Sequence, residues 1–112
     1  MAIFGRRKRL DDPHLAPLAD GCTAIAEASA RRLVRITGQV TKMRVRPTAH
    51  LPALAVTIAD ETGSATVVWS GRRSIGGVSL GRYLTIEGVA VRRGDRLEFS
   101  NPTYTLLPGK AH

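Results

Sequence analysis

The sequence predicts an all-β fold: a small closed barrel of five strands with a short helix ahead of it. Three observations carry that prediction. Leu54, Val56 and Ile58 alternate with small residues, the turn Asp60-Glu61-Thr62-Gly63 breaks the pattern, and Ala65 to Trp69 resumes with β-branched and aromatic residues, as a hairpin does. Arg31 to Arg46 keeps the same period of two but slips by one residue midway, the mark of a long strand that bends. Arg82 to Ser100 repeats the hairpin pattern around Arg92-Arg93-Gly94-Asp95.

The elements follow in order. Residues 1–12 read as a mobile arm, in which Arg6, Arg7, Lys8 and Arg9 form an unbroken cationic run. Residues 1–19 together make a flexible basic arm and lead-in, broken by Pro13 and Pro17. Within Pro13 to Ala30, Asp20 can cap a short helix whose Cys22, Ile25, Ala26 and Ser29 fall at helical spacing. That helix is expected to lie across one mouth of the sheet. In Arg31 to Arg46, Val34, Ile36 and Val40 share one parity while Met43 and Val45 share the other. The slip predicts a bulge near Thr41-Lys42, and Gly38 allows tight coiling. A bent first strand that serves two partners is what a small closed barrel requires.

Pro47 to Pro52 is a loop, and Leu54 to Trp69 supplies strands two and three. Gly-rich Ser70 to Leu80 is a linker. Arg82 to Val91 is strand four, with Leu84 and Ile86 inward and Tyr83 outward. Arg96 to Ser100 is strand five, with Leu97 and Phe99 inward, and Asn101-Pro102 ends it. Tyr104 to Leu107 should pack back on the barrel, and residues 108–112 should fray. A long bent strand, a hairpin, a linker and a second hairpin, spanning residues 20–107, are the layout of the OB-fold, a five-stranded Greek-key barrel.

The stretches LVRITGQVTKMRVRP, LAVTIADETGSATVVW and LGRYLTIEGVAVRRGDRLEFSNPTYTLL resemble the OB-fold of the tRNA-anticodon and helicase-wedge type. The closing NPTYTLL looks like the strand that ends the wedge domain of junction-unwinding helicases. The whole chain is similar to a family of small stand-alone actinobacterial OB-fold proteins described as nucleic-acid-binding; GCTAIAEA and WSGRRSIGG fit that family as well. The resemblance implies a binding module. It carries over no unwinding activity, because the helicase motor is missing from the sequence.

Charge points the same way. The net charge is +8, and fourteen of the seventeen basic residues are arginine. Residues 1–30 sum to zero, so the excess belongs to the folded part. A folded, arginine-rich surface suits polyanions, because the guanidinium fork matches phosphate geometry. Single-stranded DNA or RNA is the expected partner, held mainly by backbone phosphates with little sequence selectivity. The candidate residues are Lys42, Arg44 and Arg46 in one alternating row, Arg72 and Arg73 after the first hairpin, and Arg92 and Arg93 at the last turn. Two aromatics are candidates for stacking on bases. Trp69 is either a core residue or a platform, depending on which parity of its strand faces inward, and Tyr83 stands on the outward parity. The alternative is an adaptor that binds a protein or a second copy of itself through the small, smooth outer face of strands two and three.

Other functions find little support. One cysteine, Cys22, forms no internal disulfide and no cysteine metal site, and the histidines are scattered singly, so no metal or cofactor is expected. Asp60 and Glu61 are adjacent acids in a turn, where acids are common, and no nucleophile motif is present, so the chain is expected not to be an enzyme. No apolar run approaches the roughly 18 residues of a spanning helix, and no secretory signal is visible, so a cytoplasmic, membrane-free protein is expected.

Overall fold

The longest element, strand β1 (Leu33–Arg46), serves two partners in turn. The structure is a computed structural model that describes residues 21–47 and 51–108. The basic arm, the Asp20 cap and the last four residues fall outside them. Five further strands follow: β2 (Ala53–Ala59), β3 (Ser64–Ser70), β4 (Tyr83–Arg93), β5 (Arg96–Ser100) and β6 (Thr103–Leu106). The first half of β1, Leu33 to Gln39, pairs antiparallel with β4. The second half pairs antiparallel with β2, and the register shifts between Val40 and Lys42. The parity slip is therefore a bulge at Thr41. It turns Met43 and Val45 to the side that Ile36 and Val40 occupied before it.

The pairing closes on itself. β1 joins β2, β2 joins β3, β3 joins β5, β5 joins β4, and β4 returns to β1. Only the β3–β5 pairing is parallel. This closed, ring-like sheet of five strands is compatible with a barrel. Gly38 sits at a close approach within the ring, since a Cβ there would come within 3.0 Å of the Ala59 backbone. At the end of β5, Asn101 takes a left-handed φ of 49°, and its amide bonds the Val68 carbonyl while its side chain accepts from the Ser70 amide. After Pro102 the chain returns to β4, adding β6 opposite Leu84 to Glu87. The sequence predicts this segment packed on the barrel; the structure makes it a sixth strand.

The core lies inside the ring. Phe99, Ile36, Leu54, Ile58, Leu84, Ile86, Val40, Val56 and Val67 are its most completely buried side chains. They come from all five ring strands, so no two elements could fold into this core without the rest.

The expected helix ahead of β1 is not found among the described residues. Ile25–Glu27 forms a single 3-10 turn without a side-chain cap. Its amides are held by the β2–β3 turn instead. The Ile25 N–H donates to Asp60 Oδ2 and the Ala26 N–H to Thr62 Oγ1, both at 3.0 Å. With those donors satisfied from outside, one turn suffices to close this mouth of the ring. No helix among the described residues is long and apolar enough to cross a membrane.

Candidate functional site

The ladder register decides which side chains share the outer surface of β1, β2 and β3. Lys42 stands opposite Thr57, Arg44 opposite Ala55, and Arg46 opposite Ala53. On the far side of β2, the same residues face Thr66, Val68 and Ser70. Side chains of one parity share one face of a strand, so Lys42, Arg44 and Arg46 form a single outward row beyond the bulge. All three are exposed. Without the bulge the row would point into the core. The extra residue Thr41 is thus what places these cations outside.

Arg72 and Arg73 arrive at the same end of the sheet. Ser70 closes the row that begins at Arg46 and passes through Ala53, and the Gly71 N–H then donates to the Pro52 carbonyl at 2.7 Å. The left-handed φ of Gly71, 77°, turns the chain there. Arg72 and Arg73 are exposed. None of the five cations has an ion pair or hydrogen bond among the described residues.

The acids are elsewhere. No Asp or Glu occurs from Ala28 to Ala59 or from Thr62 to Ile86. Glu87 pairs with Arg35 at 3.5 Å and Glu98 with Arg93 at 3.9 Å. Asp60 is consumed by its own turn, accepting from the Thr62 amide, the Thr62 hydroxyl and the Gly63 amide. The outer row of β1 and the end of the sheet at the β1–β2 connection together carry five positive side chains; Glu98 stands in register with the Lys42 row across Thr57 and Thr66, and it is paired with Arg93. Such a surface attracts polyanions, and salt weakens that attraction.

The structure separates the remaining candidates from this group. Trp69 lies opposite Leu54 on the inward parity and is 6% exposed. Its ring meets Tyr104 edge-on with centroids 5.5 Å apart, and its Nε1 donates to the Pro102 carbonyl at 3.4 Å. Of the two readings of Trp69, the core residue is the one present; the indole has no open face on which a base could stack. Tyr83 keeps its outward parity but is paired with Gln39 on β1. It lines a shallow hollow with Asp60 and Glu61, two carboxylates that repel phosphate.

Arg92 and Arg93 do not share the last turn as expected. Both belong to β4, and the turn is Gly94-Asp95, with Gly94 at φ 66°. Because faces alternate, Arg93 stands on the outer surface opposite Arg96, while Arg92 faces the mouth opposite Leu97. Arg96, absent from the candidate residues, shares the outer face of Arg93 by register, and it also borders the hollow at this mouth that Arg92 lines. A two-residue turn makes the residues on its two sides pair directly, and that rule would have drawn attention to Arg96.

The small outer face of β2 and β3 also differs from expectation. Ala53, Ala55 and Val68 are buried and form a cluster of their own. Arg44 and Arg46 stand directly opposite the two alanines.

Fold and surface together define an all-β, ring-closed chain with a one-sided cationic row. No family model matches the chain, and no curated protein matches it. Among solved structures it is similar to one reported as "Structural mimicry for functional antagonism", with a TM-score of 0.57 at 14% identity. The match covers 80% of this chain and 46% of the other, so this chain spans less than half that protein's length. At that identity the likeness is one of fold.

Proposed function

We propose that this chain is a non-catalytic OB-fold module, of the kind its sequence resembles, that binds single-stranded DNA or RNA through backbone phosphates. One observation carries the proposal. The β1 bulge turns Lys42, Arg44 and Arg46 outward in one row, and Arg72 and Arg73 meet that row at its Arg46 end. The ring order with a single parallel pairing, β3 to β5, supports the OB-fold assignment. With Trp69 in the core and small residues opposite the cations, the surface offers few groups that read base edges. Binding is therefore weakly sequence-selective. Fluorescence polarisation of a labelled oligonucleotide at low and at high salt tests the proposal. Binding that weakens with salt is expected, and no binding at low salt refutes it.

A second reading, docking of a protein or of a second copy, is favoured by a different patch from the one the sequence suggested. Leu33, Val89 and Val91 are 67%, 56% and 42% exposed, and Leu33 stands opposite Val89 across the β1–β4 ladder. Sedimentation of the native chain and of Val89→Glu, with nuclease-treated protein, separates the readings. A larger species that Val89→Glu abolishes supports docking there, and a monomer in both removes self-association.

A further inference from the structure

The mouth of the ring beside the β4–β5 turn contains a pocket that the cationic row does not reach. It holds about 310 Å³. Its lining includes Arg92, Asp95 and Arg96 from the β4–β5 hairpin, Thr62 and Ser64 from the β2–β3 turn, and the buried Leu97. It lies beside Ser64, the first residue of β3, whereas Arg72 and Arg73 follow Ser70, the last. Those ends are about 20 Å apart at the rise of a strand.

The hydrogen bonding of the rim leaves a specific set of groups available. The Thr62 hydroxyl donates to Asp60 and accepts from the Ala26 amide, so it is committed to the fold. Arg93 turns outward to Glu98. Arg92, Arg96 and the Ser64 hydroxyl have no hydrogen-bond or ion-pair partner among the described residues. They are the free donors. Asp95 is the one carboxylate on the rim, and it pairs with neither arginine.

A ligand that satisfies this set needs a compact multiple anion for the two guanidinium groups and hydroxyl donors for the carboxylate. A bare inorganic anion meets only the first requirement, and Asp95 repels it. A phosphodiester running through carries a single charge and free hydroxyls only in RNA. A phosphate monoester on a sugar meets both requirements, since it carries close to two negative charges at neutral pH. Fork-shaped guanidinium groups bind such an oxyanion through paired, charge-assisted hydrogen bonds. The volume also suits a mononucleotide-sized group.

We infer that this mouth is a binding site for a sugar phosphate monoester, with the phosphoryl group on Arg92, Arg96 and Ser64 and a sugar hydroxyl on Asp95. Two sources carry that chemistry: a free nucleoside monophosphate and the phosphorylated end of a strand. The site uses none of the five cations of the proposed strand-binding row, so it stands if that row fails.

Two measurements on the full chain test it. In an amide chemical-shift titration, a nucleoside 5′-monophosphate is compared with the matching nucleoside. In polarisation, a 5′-phosphorylated oligonucleotide is compared with its 5′-hydroxyl twin. The site predicts shifts at Gly63, Ser64 and Leu97 with the monophosphate alone. If the strand end is the natural source, it also predicts about tenfold tighter binding of the phosphorylated oligonucleotide. An Arg92→Gln/Arg96→Gln double variant should lose both effects. A Lys42→Gln/Arg44→Gln/Arg46→Gln variant should keep the monophosphate shifts while losing general strand binding. The shifts mapped on the native chain do not depend on any variant folding. A monophosphate that moves no amide at the mouth, or effects that survive the double variant, overturn the inference.

Discussion

Replacing Trp69 by phenylalanine separates a core role from a base-stacking role in one experiment. The indole is 6% exposed, packs edge-on against Tyr104 and donates to the Pro102 carbonyl at 3.4 Å. Phenylalanine keeps an aromatic ring beside Tyr104. It loses the donor, leaves the Pro102 carbonyl without that bond, and opens part of the space of the distal six-membered ring. A lost neutral hydrogen bond and a partial cavity together cost about 1–2 kcal/mol. In a domain of this size that lowers the melting temperature by about 4–15 °C. Thermal unfolding followed by circular dichroism reads the loss. The same variant should bind a single-stranded oligonucleotide as well as the native chain does. Truncating a stacking platform would weaken binding by about 1–3 kcal/mol for each base stacked. Because Trp69 is the sole tryptophan, its emission offers an independent check: oligonucleotide added to the native chain should leave it nearly unquenched. Unchanged stability together with a tenfold loss of binding would refute the placement of Trp69 in the core.

Two further substitutions test the ring and the turn that closes its mouth. Gly38→Ala sets a methyl group against the Ala59 backbone at 3.0 Å, where no side chain can move aside. It should lower stability by about 1–3 kcal/mol, read from the urea midpoint, and a neutral result would mean that β1 and β2 are less close there. Asp60→Ala removes the acceptor for the Ile25, Thr62 and Gly63 amides. A loss of about 2 kcal/mol is expected, with Asp60→Asn recovering part of it, and equal losses in both variants would contradict the hydrogen-bonded turn.

The strands and the bulge were legible because their signals are local. Alternation in Leu54 to Ala59 and β-branched and aromatic residues in Ala65 to Trp69 located the arms of the β2–β3 hairpin, and the change of parity between Val40 and Met43 located the bulge within one residue. Gly38 was legible as a tight point for the same reason. The 3-10 turn was not, because Ile25 and Ala26 find their hydrogen-bond acceptors 35 and 36 residues away. Helical spacing of small residues carries no information about such partners. The parallel β3–β5 pairing was equally invisible, since nothing near Ala65 or Leu97 specifies the other. At the candidate site, alternation placed Lys42, Arg44 and Arg46 correctly on one face. It could not show that Tyr83 shares its hollow with Asp60 and Glu61, which come from another part of the chain. Arg92 and Arg93 were misplaced by two residues of strand length, enough to send them to opposite faces.

The dependence of binding on salt tests the cationic row most directly. Five phosphate contacts by Lys42, Arg44, Arg46, Arg72 and Arg73 predict a slope of log affinity against log salt near about −3.5 for a single strand. Affinity should then fall about a hundredfold between about 50 and 200 mM salt. The Lys42→Gln/Arg44→Gln/Arg46→Gln variant should keep a slope of about −1.4 and lose only about sevenfold over the same range. A native slope near zero, or a slope that the three substitutions leave unchanged, would contradict the role assigned to the row.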